Sequence, residues 1–212
     1  MKITSIERQK HRNNRYSIFV DKEFSFGLSE KVLSQLQLNI GTSLNPAELV
    51  NISEMEDVEK AFQFAIRYHS IRPRSSSEFK VYLTKKKFSE AVINSAMEKL
   101  NSLSVINDKE FARMFVSDKL KLRPVSRIMM EILLSKKGIK KELAQSILNK
   151  YYTVDSEKKV AAELAKKRIE RYIKNKFTEV DLKKVFDFLL RRGFSYSIVT
   201  DVLKNIYKTN LI

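Results

Sequence analysis

One apolar pattern is written three times in the last two-thirds of the chain. It reads Phe79–Leu83–Phe88–Val92–Met97–Leu100, then Met130–Leu134–Ile139–Leu143–Leu148–Tyr151, then Val185–Leu189–Phe194–Ile198–Leu203–Ile206. The second copy follows the first by 51 positions and the third follows the second by 55, with no gap inside the pattern. The spacing within each copy predicts two amphipathic helices joined by a tight turn. A period near fifty residues marks a repeat protein, whose units bury one another's apolar faces and present a long surface. That points away from a catalytic pocket and toward an extended partner.

A first helix precedes each copy. Ala61, Phe62, Ala65 and Tyr68 share one stripe, Phe111, Ala112, Phe115 and Val116 a second, and Val160, Ala161, Leu164, Ala165 and Ile169 a third. Helix starts are predicted at Ser53-Glu54-Met55-Glu56 as a capping box, at Asp108, after Ser75, near Ser126 and after Thr178. Upstream, Tyr16, Ile18 and Val20 alternate with polar residues, and Phe24 and Phe26 do so after an Asp21-Lys22 turn. With Asn13-Asn14 as the tip of the preceding hairpin, residues 2–27 read as a three-stranded antiparallel meander. A short helix from Ser29 to about Leu36, broken by Gly41, and another start at Asn45-Pro46 follow. The expected fold is mostly α: a small N-terminal β-hairpin or meander domain, then three tandem three-helix repeats in a curved, elongated array. The expected boundaries are 1–50 for the N-terminal domain with its short helix, then 51–106, 107–155 and 156–212 for the repeats.

Forty-one Lys and Arg against 25 Asp and Glu give a net charge of +16. Residues 1–50 carry +2 of it, so the repeats carry +14. Such a field attracts polyanions or an acidic protein face. The absence of cysteine removes disulfides, thiolate zinc sites and a cysteine nucleophile. No apolar run approaches the ~18 residues of a membrane span, and the N-terminus lacks a signal-peptide core. A cytoplasmic, monomeric protein away from membranes is expected. The two histidines, His11 and His69, have no partner at useful spacing, and the four glycines form no phosphate-cradling loop. Neither catalysis nor a cofactor nor a metal is expected.

Basic residues recur at the end of the second helix of each repeat: Lys85-Lys86-Lys87, Lys136-Lys137-Gly138 and Arg191-Arg192-Gly193. Cations there complement the helix dipole, and Gly138 and Gly193 suit a left-handed C′ position. The same turns, on a stacked array, suit the backbone of a nucleic acid or an acidic groove, and both readings stand. A second basic element, Arg67 with Arg72-Pro73-Arg74, lies between the first two helices of repeat one. Repeat two places Lys121, Arg123 and Pro124 at the equivalent turn. The third helices begin with Ser89-Glu90-Ala91-Val92-Ile93-Asn94 and Ser195-Tyr196-Ser197-Ile198-Val199-Thr200. Neither offers a cation to base edges in its first two turns, which argues against sequence-specific major-groove reading.

Four stretches resemble one known family. They are Ala65-Ile66-Arg67-Tyr68-His69-Ser70-Ile71-Arg72-Pro73-Arg74-Ser75, Asn107-Asp108-Lys109-Glu110-Phe111-Ala112, Lys136-Lys137-Gly138-Ile139 and Arg191-Arg192-Gly193-Phe194-Ser195. In order and spacing they are similar to the RecX regulators of the RecA recombinase, over roughly residues 55–207. Phe24-Ser25-Phe26-Gly27 is similar to the N-terminal extension of the longer members from Gram-positive bacteria. Repeat one departs from the pattern with Lys87 where glycine is usual, and with His69-Ser70-Ile71 where Leu-Ser-x is commoner. The resemblance implies binding in the groove of RecA–DNA filaments, with less ATP hydrolysis, strand exchange and co-protease action in DNA repair and the SOS response. The implied partners are the RecA filament and single- and double-stranded DNA without sequence preference. Arg72, Arg74, Lys85, Lys86, Lys136, Lys137, Arg191 and Arg192 are the expected contacts. A nonspecific DNA- or RNA-binding repeat module acting without RecA is the rival reading.

Overall fold

A computed structural model describes residues 1–10, 14–171 and 178–208. Among the described residues three strands, β1 (Ile3–Arg8), β2 (Arg15–Val20) and β3 (Glu23–Ser29), are followed by ten helices. These are α1 (Glu30–Leu36), α2 (Pro46–Ile71), α3 (Ser76–Lys85), α4 (Glu90–Ser102), α5 (Asp108–Leu122), α6 (Arg127–Lys136), α7 (Lys141–Tyr151), α8 (Val154–Ile169), α9 (Glu179–Arg191) and α10 (Tyr196–Lys208). The chain forms two compact units. One comprises residues 1–73 with 79–106, the other residues 74–78 with the chain from Asn107 onward.

In the first unit the strands form an antiparallel meander in the order β1-β2-β3. Asp21 and Lys22 both have positive φ, 48° and 70°, the backbone of a tight hairpin turn matched to strand twist. Asn14 immediately precedes β2; His11 and Asn13, and with them the expected Asn13-Asn14 tip, lie outside the described residues. Ser29 caps α1 as expected, and Gln37, at φ 49°, ends it before Gly41. Ile3, Ile18, Val20, Leu28, Val32, Leu44 and Ile52 form the core beneath the sheet.

The helix starts expected at Asn45 and Ser53 resolve into a single 26-residue helix, α2. Asn45 and Glu48 make a full capping box with Pro46 in the first turn, so the start there is real. Ser53 lies exposed within the helix, and Glu56 turns away from it to bond Ser29. The helix therefore serves two cores: Ile52 packs under the sheet, while Ala61, Phe62 and Ala65 pack with Phe79, Leu83, Val92, Ile93, Ala96, Met97 and Leu100. His69 stacks on the Phe79 ring at 6.0 Å.

The second unit holds two three-helix cores. Helices α5–α7 bury Phe111, Ala112, Val116, Met130, Leu134, Ile139, Ala144 and Leu148. Helices α8–α10 bury Ala161, Ala165, Ile169, Val185, Leu189, Phe194, Ile198, Leu203 and Ile206. One pattern position shifts: Tyr151 is exposed at 43% and Tyr152 takes the core place. The cause is the end of α7. Tyr152 leaves helical geometry at φ −143°, its ring turns inward, and its hydroxyl donates to the Val125 carbonyl at 2.7 Å.

Candidate interface: basic turns and the joints between repeats

Ser75 and Ser126 begin the second helices of repeats one and two, 51 positions apart, and both are fully buried. Buried hydroxyls and helix-end amides need partners, and the next basic turn supplies them. Ser75 Oγ donates to the Lys137 carbonyl at 2.6 Å, and the Ser126 amide donates to the Arg192 carbonyl at 3.1 Å. Lys137 Nζ lies 2.8 Å from Glu78 Oε1, and the Arg192 guanidinium donates to the Pro124 carbonyl at 2.8 Å. Arg192 also lies over the Phe188 ring, 5.1 Å from its centroid. Each of the two turns thus receives a buried serine that begins a second helix.

Carboxylates complete each joint. Asp108 accepts from the Ser76 amide at 2.7 Å and its hydroxyl at 2.5 Å, and Glu157 accepts from the Arg127 amide at 2.8 Å. Asp108 is therefore not the N-cap expected from the sequence. Asn107 caps α5, which frees the Asp108 carboxylate for Ser76. In the first unit Glu56 acts in the same way on the start of α1, accepting from the Ser29 amide at 2.8 Å and from Arg15 at 2.7 Å. Glu56, Asp108 and Glu157 recur at intervals of 52 and 49 residues, and that recurrence was the available signal for the joints. Arg127 binds the Leu148 carbonyl and Asn149 Oδ1 at 3.0 and 2.7 Å, and also the Tyr152 carbonyl. Burial first, and the Glu157 charge second, push the Tyr152 hydroxyl pKa upward.

The joints explain Lys87. Gly138 and Gly193 have φ of 75° and 86°, and a Cβ on either would meet Ser77 Cβ at 2.2 Å or Ser126 Oγ at 2.7 Å. Lys87 adopts the same left-handed conformation, φ 64°, and its long side chain is exposed to solvent. Its side chain therefore has room that the other two turns lack. In the third repeat α9 begins at the exposed Thr178, which closes its own capping box with Asp181.

The expected contact residues consequently divide. Lys137 and Arg192 are built into joints. Lys136 and Arg191, their neighbours, are exposed. Lys85 and Lys86 are exposed at the end of α3, with Lys86 Nζ 5.2 Å from the Phe64 ring centroid and 5.7 Å from that of Tyr82. Arg72 is exposed at the end of α2 and donates to the Pro73 carbonyl at 2.8 Å; Arg74 is half-buried beside Ser75. Sequence reasoning passed over a groove between α8 and α10 lined by Lys158, Lys159, Lys166, Lys204 and Asp201. The i, i+7 spacing of Lys159 and Lys166 is its signal. Among the described residues no helix is long and apolar enough to cross a membrane.

Three family models match the chain: the regulatory protein RecX N-terminal domain over residues 1–45, the first RecX three-helix domain over 61–100 and the third over 155–203. A regulatory protein RecX of Bacillus pumilus is 32% identical over 205 residues, covering 97% of this chain and 77% of that protein. The chain belongs to the RecX family of regulatory proteins. A RecX of Clostridium beijerinckii is 29% identical over 97% of this chain and 95% of its own length. A crystal structure of a regulatory protein RecX superposes with a TM-score of 0.77 at 27% identity, over 96% of this chain and 98% of that one. RecX from Lactobacillus salivarius gives 0.64 at 28% identity, over 74% and 99%. The three-helix organisation set out above is thus that of RecX.

Proposed function

We propose that this RecX-family chain binds RecA nucleoprotein filaments as a cytoplasmic monomer and inhibits their recombinase, ATPase and co-protease activities in DNA repair and the SOS response. The observation that supports this reading is the recurrence of an exposed cation beside each repeat turn: Lys85 and Lys86, Lys136, and Arg191. A nucleoprotein filament is a polyanion with a repeating groove, and one modest contact per repeat accumulates when several engage together. In this reading Lys85, Lys86, Lys136, Arg191 and Arg72 touch the filament or its DNA. Lys137, Arg192 and Arg74 hold the surface that displays them. The contacts are to phosphate or acidic side chains and carry no base specificity.

The test is cosedimentation with RecA assembled on single-stranded DNA in a non-hydrolysable ATP analogue. Pelleting that saturates at a fixed ratio of chain to RecA, and exceeds pelleting with bare DNA, supports the reading; equal retention on bare DNA overturns it. The lysine-lined groove between α8 and α10 favours a second reading, a nonspecific DNA- or RNA-binding module independent of RecA. That reading predicts the equal-retention result.

A further inference from the structure

Ile71 and Leu122 are the two most exposed large apolar side chains among the described residues, at 77% and 80%. A single exposed aliphatic residue needs no explanation. These two, however, occupy the same place in successive repeats, 51 positions apart. Each is the last residue of a first helix, α2 or α5, and each is followed by Arg-Pro. Four residues after each stands a fully buried serine, Ser75 or Ser126, fixed to a neighbouring turn. A helix end, and the fixed φ of a proline two residues on, restrict the backbone at each position. The apolar group is displayed with little conformational freedom to give up on binding.

We infer that Ile71 and Leu122 are apolar anchors, each inserting into a recess with an acidic rim on a protein subunit of the filament. The inference rests on the proposed filament binding and adds to it a protein contact that is not a charge contact. The charge beside each anchor sets the chemistry of the recess. Arg72 and Arg67 flank Ile71, while Arg123 and Lys121 flank Leu122, and all four cations are exposed. Two exposed cations beside an aliphatic side chain fit an apolar floor with carboxylates at its edge. A filament repeats the same recess on every subunit, so a chain that repeats its anchor needs only one kind of recess. Nucleic-acid platforms for unpaired bases use aromatic faces, which neither anchor has. A wedge between base steps is the other use of an aliphatic side chain.

The experiment measures fluorescence anisotropy of the end-labelled full chain, unaltered and as Ile71→Ser, Leu122→Ser and the double variant. It is titrated with RecA filaments on single-stranded DNA, and with the same DNA and a duplex free of RecA. Both sites are solvent-exposed, and unchanged thermal unfolding of the variants confirms the fold. The expected result is about tenfold weaker filament binding for each variant and about a hundredfold for both, the scale of one buried aliphatic side chain apiece. Naked-DNA affinity stays constant, and Ile71→Leu retains filament binding. Filament affinities within twofold of the unaltered chain overturn the anchors while leaving filament binding intact. A parallel weakening on naked DNA overturns them in favour of a base-step wedge. If the unaltered chain does not bind filaments at all, the anchors fall together with the function they rest on.

Discussion

Gly138 approaches Ser77 so closely that a β-carbon on the glycine would stand 2.2 Å from that of the serine. The close approach needs glycine twice over, for its φ of 75° and for the space. Gly138→Ala is expected to cost about 2–5 kcal/mol, combining a left-handed penalty of about 1–2 with overpacking of about 1–3. Gly193→Ala behaves similarly against Ser126 and Met129. Lys87→Gly, at the exposed equivalent, changes stability by less than about 1 kcal/mol. Urea unfolding followed by circular dichroism checks all three. Equal effects at Lys87 and Gly138 would remove the joint as the reason for glycine.

The joint carboxylates act on amides at the start of a helix, where donors lack partners. Asp108→Ala removes both bonds to Ser76, and Glu157→Ala strands the Arg127 amide. Each is expected to cost about 1–3 kcal/mol. Amide hydrogen exchange is the sharper readout. Ser76 should exchange faster in the first variant and Arg127 in the second, with the core of α4 unaffected.

Glu59 governs a response to acid. Burial works to raise its carboxyl pKa, but hydrogen bonds from Lys99 and Gln63 and the charges of Lys99 and Lys31 hold it below the usual value. A carboxylate with a depressed folded pKa contributes stability that is complete above the ordinary glutamate value of about 4.3 and disappears as pH falls through the folded value. The unaltered chain should therefore lose urea resistance below about pH 4.3 more steeply than Glu59→Gln. At pH 7 the variant should be the less stable of the two. Parallel acid profiles would contradict this assignment.

Charge reversal should separate the paired cations. Lys136→Glu and Arg191→Glu are exposed changes, expected to shift stability by less than about 0.5 kcal/mol. Each should weaken filament binding, and removing one phosphate-neutralising cation should lower the salt slope by roughly 0.7 on single strands. Lys137→Ala and Arg192→Ala should do the reverse, lowering the unfolding midpoint while the salt slope holds. Binding isotherms across salt concentrations, paired with melts, check both halves.

The apolar pattern made the helices and most of the core legible, because burial sets both spacing and residue type. Phe79, Leu83, Met130, Leu134, Val185 and Leu189 all lie fully buried where the repeat placed them. Ser53-Glu54-Met55-Glu56 misled, because a serine followed by glutamate three residues on looks alike at a helix start and inside one. Only the capping box at Asn45 distinguishes the true start. Tyr151 and Tyr152 could not be ordered from spacing, since the break at the end of α7 decides which ring turns inward. The basic turns were visible, but not the division of Lys136 from Lys137 or Arg191 from Arg192. That division depends on which repeat docks on the turn, a long-range relation. Ser75, Ser126, Glu56 and Glu157 read locally as caps and helix-surface charges, yet all are buried in joints.

The proposed action on the RecA filament is read most directly from DNA-dependent ATP hydrolysis by the cognate RecA. The chain is added far below one per RecA protomer, with DNA in excess. A marked loss of hydrolysis is expected at such ratios, and a smaller loss with the Lys136→Glu, Arg191→Glu double variant. Hydrolysis that stays unchanged until the chain is abundant enough to coat the DNA would contradict it.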